Sequence, residues 1–175
     1  MTNAHVVFLS GASGAGKTTL TKALSEKYKH RSNIGFLYFD SIGVPAVEEM
    51  IERHGSSKKW QEDMTYEWVR LIVENHSDKD VVFIEGQTEL TFIRDAFKQH
   101  NVKKHTIVLI HGERDERHRR LISERNQADL VNKDMDNWAN YLLNQATDLG
   151  YEVIHTADES VGSSIDILET FLKGI

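Results

Sequence analysis

Eight consecutive residues, Gly11-Ala12-Ser13-Gly14-Ala15-Gly16-Lys17-Thr18, match the pattern G-x-x-x-x-G-K-[ST] in full. Glycines let the backbone curl until consecutive amides point inward at the oxygens of a polyphosphate, and a helix opening near Lys17 adds its positive end. Lys17 brings a point charge to the β- and γ-phosphates, Thr18 offers a hydroxyl to Mg²⁺, and Thr19 follows in the first helical turn. Glycine is roughly 7% of average usage, so chance produces this pattern in such a chain at roughly the one-per-cent level or below. The residues read as a site for a nucleoside triphosphate with Mg²⁺ rather than as an empty turn.

Further groups with chemical potential follow later apolar runs. Phe36-Leu37-Tyr38-Phe39 leads into Asp40-Ser41, where a carboxylate can orient an acceptor hydroxyl and take its proton. The same pair can cap a helix before the turn that Pro45 begins, and both uses can hold at once. Asp80-Val81-Val82-Phe83-Ile84 ends in Glu85-Gly86-Gln87, which offers Glu85 to the metal shell and Gln87 to substrate. The plainer role for Glu85 is to satisfy amides of the following turn. Five of the nine arginines are Arg114, Arg117, Arg119, Arg120 and Arg125, dense for an acidic chain. Arginines closing over a nucleotide stabilise charge on a moving phosphoryl group, and a guanidinium can stack on a base. On an ideal helix Arg117, Arg120 and Glu124 share one face, Arg114, His118, Leu121 and Arg125 a neighbouring one, and Arg119 points elsewhere. The simpler alternative is a solvated helix laced by pairs such as Glu113 with Arg117 and Glu116 with Arg120. As a cluster the arginines favour a lid near 112–130, with Arg117, Arg120 or Arg125 reaching the phosphates. Trp60, Tyr66 and Trp68 lie where an insertion could cover an acceptor pocket, although helix packing is the commoner use of such residues. The nine histidines show no H-E-x-x-H or comparable spacing, so metal is expected to arrive with nucleotide.

These groups must be positioned by a scaffold. Short runs rich in Val, Ile or Phe at His5 to Ser10, Ile34 to Phe39, Val81 to Ile84, Thr106 to Ile110 and Glu152 to Ile154 read as buried strands. Between them helical spacing covers Lys17 to Lys29, Ala46 to Glu74 in two pieces, Leu90 to His100, and Glu113 to Leu149 in two or more pieces. A last helix spans Ser163 to Lys173. Strands alternating with helices imply crossovers, and hence a parallel sheet covered on both faces. Punctuation falls at junctions: Pro45 suits a first helical turn, Gly55 with Ser56 and Ser57 splits two helices, and Gly150 ends another. The expectation is one doubly wound α/β unit over 1–175, a three-layer sandwich with its ligand at the carboxyl ends of the strands.

The chain has 175 residues, fitting one core, with 39% hydrophobic and 27% charged residues, which excludes disordered, collagen-like and fibrous classes. A formal charge of −6 argues against a nucleic-acid or anionic-membrane binder. Cysteine is absent, which excludes disulfides, thiolate zinc and a cysteine nucleophile. Neither a targeting nor a membrane segment is expected, and cytoplasm is the default location.

The sequence resembles the P-loop kinase group, the nucleoside-monophosphate-kinase-like folds that include gluconate kinase, shikimate kinase and chloramphenicol phosphotransferase. The likeness rests on Gly11 to Thr18, Asp40, Glu85-Gly86-Gln87 and the segment ending Arg120-Leu121-Ile122-Ser123-Glu124-Arg125. It implies a five-stranded parallel sheet in the order 2-3-1-4-5. Phe39-Asp40-Ser41 followed by Pro45 is similar to the aspartate segment of chloramphenicol phosphotransferase, which implies that Asp40 is the base for a small-molecule hydroxyl. The metal-supporting acid, Asp in many relatives, would be Glu85 here. Adenine in this group packs between a lid arginine and the loop after the fifth strand, here Thr156-Ala157-Asp158.

The leading expectation is an ATP-dependent phosphotransferase acting on a small molecule. An alternative is a regulatory NTPase or switch read by a partner protein: Asp40-Ser41-Ile42-Gly43 fits D-x-x-G, but Asn132-Lys133-Asp134-Met135 fails the N-K-x-D pattern of guanine readers. A polynucleotide 5′-kinase is a third reading, disfavoured by the net charge.

Overall fold

Alternate residues of the apolar runs pack on opposite faces of one sheet, as the two-residue period of a strand requires. Val6 and Phe8 join Val82, Ile84, Ile107 and Leu109 in the core on one side. Val7 and Leu9 join Val81, Phe83, Val108, Ile110 and Ile154 on the other. A strand buried on both faces has no polar alternation to show, which is why these segments read as continuous apolar runs.

The structure, a computed structural model, describes residues 2–156 and 161–173. Its strands are β1 His5–Ser10, β2 Ile34–Tyr38, β3 Val81–Gly86, β4 His105–His111 and β5 Glu152–His155. All adjacent pairs are parallel and the spatial order is β2-β3-β1-β4-β5. Among the described residues the helices are α1 Lys17–Lys27, α2 Val47–His54, α3 Ser57–Asn75, α4 Leu90–Gln99, α5 Arg114–Ser123, α6 Lys133–Leu149 and α7 Val161–Glu169. Residues of α2, α3, α4 and α6 cover the first face, and residues of α1 and α7 the second. None of these helices is long and apolar enough to cross a membrane.

Pairing joins the strands so that their carboxyl ends share one edge: Ser10 lies opposite Gly86, Tyr38 opposite Glu85, and His111 opposite His155. Strand β3 runs two residues past the apolar run, because Glu85 pairs through its backbone with Leu9 and Tyr38 on either side. Pro45 sits outside α2, one residue before its N-cap Ala46, rather than in the first turn. Gly55 and Gly150 end α2 and α6 in left-handed conformations, with φ of 86° and 68°.

Candidate active site

The glycine-rich loop leaves β1 and enters α1 through Gly16, whose φ of 104° suits a residue without a Cβ. That turn places Lys17 and Thr18 in the first helical turn, beneath the curled backbone. The Lys17 ammonium is buried and donates to the Ala12 carbonyl at 3.1 Å. Burial pushes its pKa down to about 8; Glu85 opposes the shift and the charge of Arg125 adds to it. Thr18 Oγ1 donates to the Glu85 carboxylate at 3.2 Å. Burial raises the Glu85 carboxyl, against the charge of Lys17 and the Thr18 hydrogen bond. A hydroxyl and a carboxylate in contact under the loop are hard oxygen donors of the kind that Mg²⁺ takes, so these residues fit the ion.

Asp40 sits in a 3-10 turn, Phe39–Ile42, that follows β2. It is solvent-exposed, and its carboxylate has no hydrogen-bonding partner among the described residues, so it caps no helix. Its charge is felt by both Lys17 and Glu85. The preceding residue holds it in place. Phe39 is buried, packs edge-on against Trp60 with ring centroids 6.2 Å apart, and accepts a hydrogen bond from Trp68 Nε1 at 3.0 Å on its carbonyl. Gly86 makes this approach possible, since a Cβ there would lie 2.5 Å from the Cβ of Phe39. Gln87 is fixed by two contacts: Ser13 Oγ donates to its Oε1 and Gln61 Nε2 to its backbone carbonyl, each at 2.9 Å.

Two cavities flank the loop. The first, of about 270 Å³, is lined by Gly14, Gly16, Thr19, Arg120, Arg125 and Thr156, among others. The second, of about 480 Å³, is lined by Ser13, Asp40, Gln87, Trp60 and Trp138, among others. The loop, Asp40, Glu85, Gln87, Arg120 and Arg125 thus lie at one edge of the sheet, with the loop between a chamber next to α5 and a chamber next to α2 and α3.

The arginines separate into distinct roles. Arg120 clasps the loop: Nη1 donates to the carbonyls of Gly14 and Ala15, each at 3.2 Å, and to Thr156 Oγ1 at 3.0 Å, while Nη2 donates to the Thr156 carbonyl at 3.1 Å. Arg125 is exposed and lines the same cavity. Arg117 departs from the expectation that it faces the phosphates. It is only 2% exposed and lines neither cavity. Its Nε donates to the Gly112 carbonyl at 3.1 Å and its Nη2 to Asp136 at 2.6 Å. The cause is helical phase: α5 turns Arg117 and Leu121, one turn apart, into the core together. Arg114 and His118 also reach Asp136, at 3.5 and 2.9 Å. Burial would raise the Asp136 carboxyl, yet hydrogen bonds from His118 and Arg117 outweigh it and hold the group low. Arg119 points outward and pairs with Glu116, which its hydrogen bond, aided by the charge of Arg120, pushes down to about 2.

Thr156, the first residue of the expected adenine loop, follows β5 and donates to the Ala15 carbonyl at 2.7 Å, so the structure brings it to the glycine-rich loop. Trp138 carries no signal in the sequence and reaches the second cavity from α6 by folding alone. Residues 157 and 158 of the expected adenine loop lie outside the described residues. Asn132 serves as N-cap of α6, its side chain accepting from the Met135 amide at 2.9 Å, so the near-match to N-K-x-D is a helix start. The register of β4 with β5 also brings His111, Glu113 and His155 together, their nearest ligand atoms within 4.8 Å of one another.

Comparison with known structures bears on the fold. The chain is similar to shikimate kinase from Acinetobacter baumannii in complex with shikimate, at 16% identity and a TM-score of 0.63, covering 97% of this chain and 93% of that one. It is similar to a gluconokinase from Sinorhizobium meliloti, at 14% identity and a TM-score of 0.61, with 98% and 93% covered. It is also similar to the Mycobacterium tuberculosis APS kinase in complex with AMPPNP and APS, at 11% identity and a TM-score of 0.65, with 99% and 100% covered. No curated protein matches by sequence. The fold is therefore that of P-loop kinases of the nucleoside-monophosphate-kinase-like group. A family model described as the AAA domain matches residues 7–144, most of the chain, and by that match the chain belongs to the AAA domain family.

Proposed function

We propose that this protein is an ATP-dependent phosphotransferase that moves the γ-phosphoryl group to a hydroxyl of a small molecule. One observation carries the reading: the loop with Lys17 and Thr18 separates two cavities, and an unpaired carboxylate, Asp40, stands in the second. A hydrolytic switch has no use for that second chamber. The fold it shares with shikimate kinase, gluconokinase and APS kinase supports the same reading.

The nucleotide would lie with its base in the chamber beside Arg120 and Thr156 and its phosphates under the amides of Gly11 to Gly16. Lys17 would then leave the Ala12 carbonyl for the phosphate oxygens. Thr18 and Glu85 would hold Mg²⁺, which neutralises charge on the phosphates when bound. Asp40 orients the acceptor hydroxyl and takes its proton as the new bond forms, while Gln87 fixes the acceptor. Arg125 can swing over the phosphates, and Arg120 holds the loop carbonyls so that the amides keep facing inward.

The test is ADP release from Mg·ATP with and without a fractionated metabolite extract, for the native chain, Asp40→Asn and Lys17→Ala. The expected result is stimulation by one fraction, reduced by Asp40→Asn at least about 100-fold with nucleotide binding retained. Slow turnover indifferent to every fraction and to Asp40 would refute the proposal and point to a switch.

A further inference from the structure

The ends of β4 and β5 bring together three side chains that the proposed phosphoryl transfer does not use. The ligand atoms of His111, Glu113 and His155 lie within 4.8 Å of one another, with His111 Nε2 and Glu113 Oε1 3.9 Å apart. The two imidazoles meet edge to face, their ring centroids 5.5 Å apart. None of the three residues lines either cavity beside the glycine-rich loop.

The backbone beneath these groups is held at each residue. His111 pairs with His155 across the sheet, and its carbonyl accepts from the Thr156 amide at 2.9 Å. The Gly112 carbonyl accepts from Arg117 Nε at 3.1 Å, and the Glu113 carbonyl accepts from the Arg117 amide at 2.9 Å. A Cβ on Gly112 would lie 3.0 Å from Arg117 Cγ and 3.4 Å from Ala15 Cα, so a glycine lets the chain pass tightly between His111 and Glu113. Donors carried on a fixed backbone lose little freedom when an ion arrives. His111 is buried, whereas Glu113 and His155 are exposed, so one donor is rigid and two can adjust. Tetrahedral donors around a zinc ion stand about 3.3 Å apart, and movements of roughly 1 Å by the two exposed side chains close the set to that spacing. The charge of Arg117, which His111 feels, is balanced by Asp136 at 2.6 Å. Two imidazoles with one carboxylate suit Zn²⁺ and its first-row neighbours, whereas Mg²⁺ takes oxygen donors.

We propose that His111, Glu113 and His155 form a binding site for a divalent transition-metal ion such as Zn²⁺, separate from Thr18 and Glu85, and that the ion pins the start of α5 to the sheet. Glu113 is the N-cap residue of α5, the helix from which Arg120 clasps the glycine-rich loop. An ion shared by Glu113 and the two strand-end histidines therefore joins that helix to β4 and β5. This site needs only these three residues and stands whether or not the phosphotransferase reading holds.

The experiment titrates Co²⁺, whose visible absorption reports its ligands, into the full chain without an affinity tag, in excess Mg²⁺ and without nucleotide, and then adds Zn²⁺ in competition. One Co²⁺ should bind per chain and yield to Zn²⁺ but not to Mg²⁺. His155→Ala and Glu113→Ala, both at exposed positions, should each weaken binding at least about 10-fold, while His30→Ala, an exposed histidine outside the cluster, should leave it unchanged. With Zn²⁺ bound, the Arg117 amide that donates to Glu113 should exchange its hydrogen at least about 10-fold more slowly, because opening the first turn of α5 would release one of the donors. Absence of stoichiometric binding, or equal affinity in the native chain and both cluster variants, would overturn the site. Binding that leaves the Arg117 exchange unchanged would overturn the pinning of α5.

Discussion

Gly86→Ala tests whether Asp40 is positioned by the close approach of β3 to Phe39. The new Cβ would lie 2.5 Å from Phe39 Cβ, 2.8 Å from Cγ and 2.9 Å from Cδ2, whereas ordinary contact begins at 3.4 Å, so something must retreat by roughly 1 Å. Phe39 cannot yield alone, because its ring is packed against Trp60 and its carbonyl is held by Trp68. Gly86 cannot yield either, being paired within a strand buried on both faces. Overpacking of this kind costs about 1–3 kcal/mol, which lowers the melting temperature of a domain of this size by about 2–12 °C. A displacement of roughly 1 Å passed to Asp40 costs about 100-fold in turnover. Nucleotide affinity should stay within about threefold, since no loop residue is touched. The assays are thermal unfolding, calorimetric titration with Mg·AMPPNP, and acceptor-stimulated ADP release on the folded variant. Full turnover in a destabilised variant would refute the positioning argument, and an unchanged melting temperature would refute the packing argument.

Lys17 links nucleotide binding to pH. Its pKa without nucleotide is about 8, and a triphosphate restores the charged form, so binding takes up a proton above pH 8 and affinity falls as pH rises, by up to about tenfold per pH unit. Titration near pH 9 in buffers of different ionisation enthalpy should show that uptake, and Lys17→Arg, whose side chain stays protonated, should abolish it. Uptake that persists in Lys17→Arg would assign the proton elsewhere. Asp136→Ala should destabilise by about 3 kcal/mol, because it strands the buried Arg117 guanidinium without its counter-charge. Asp136→Asn, which keeps a carbonyl oxygen for the hydrogen bond, should cost less; equal melting temperatures for native, Ala and Asn forms would show that the pair carries no stability.

What could be read in the chain alone was whatever depends on neighbours in sequence. The eight residues from Gly11 to Thr18 specify a loop because glycine conformation, the helix start and the lysine are all set within that segment. The apolar runs announced strands, and their alternation with helices implied a parallel sheet; only the resemblance supplied the order in which those strands lie. Asp40, Glu85 and Gln87 are legible as candidates because they lie at or just past strand ends on the edge where ligands bind such sheets. The arginines show the limit. Five of them lie within 114–125, and their types say nothing about which turns inward; the phase of α5 against the core sent Arg117 to Asp136 and Arg120 to the loop. Thr156 is legible only through the resemblance, and Trp138 not at all, since which distant elements a side chain meets is chosen by packing, not by spacing. The pairing of Glu89 at the start of α4 with Lys58 on α3 also belongs to the fold, because only packing brings residues 31 positions apart on different helices together.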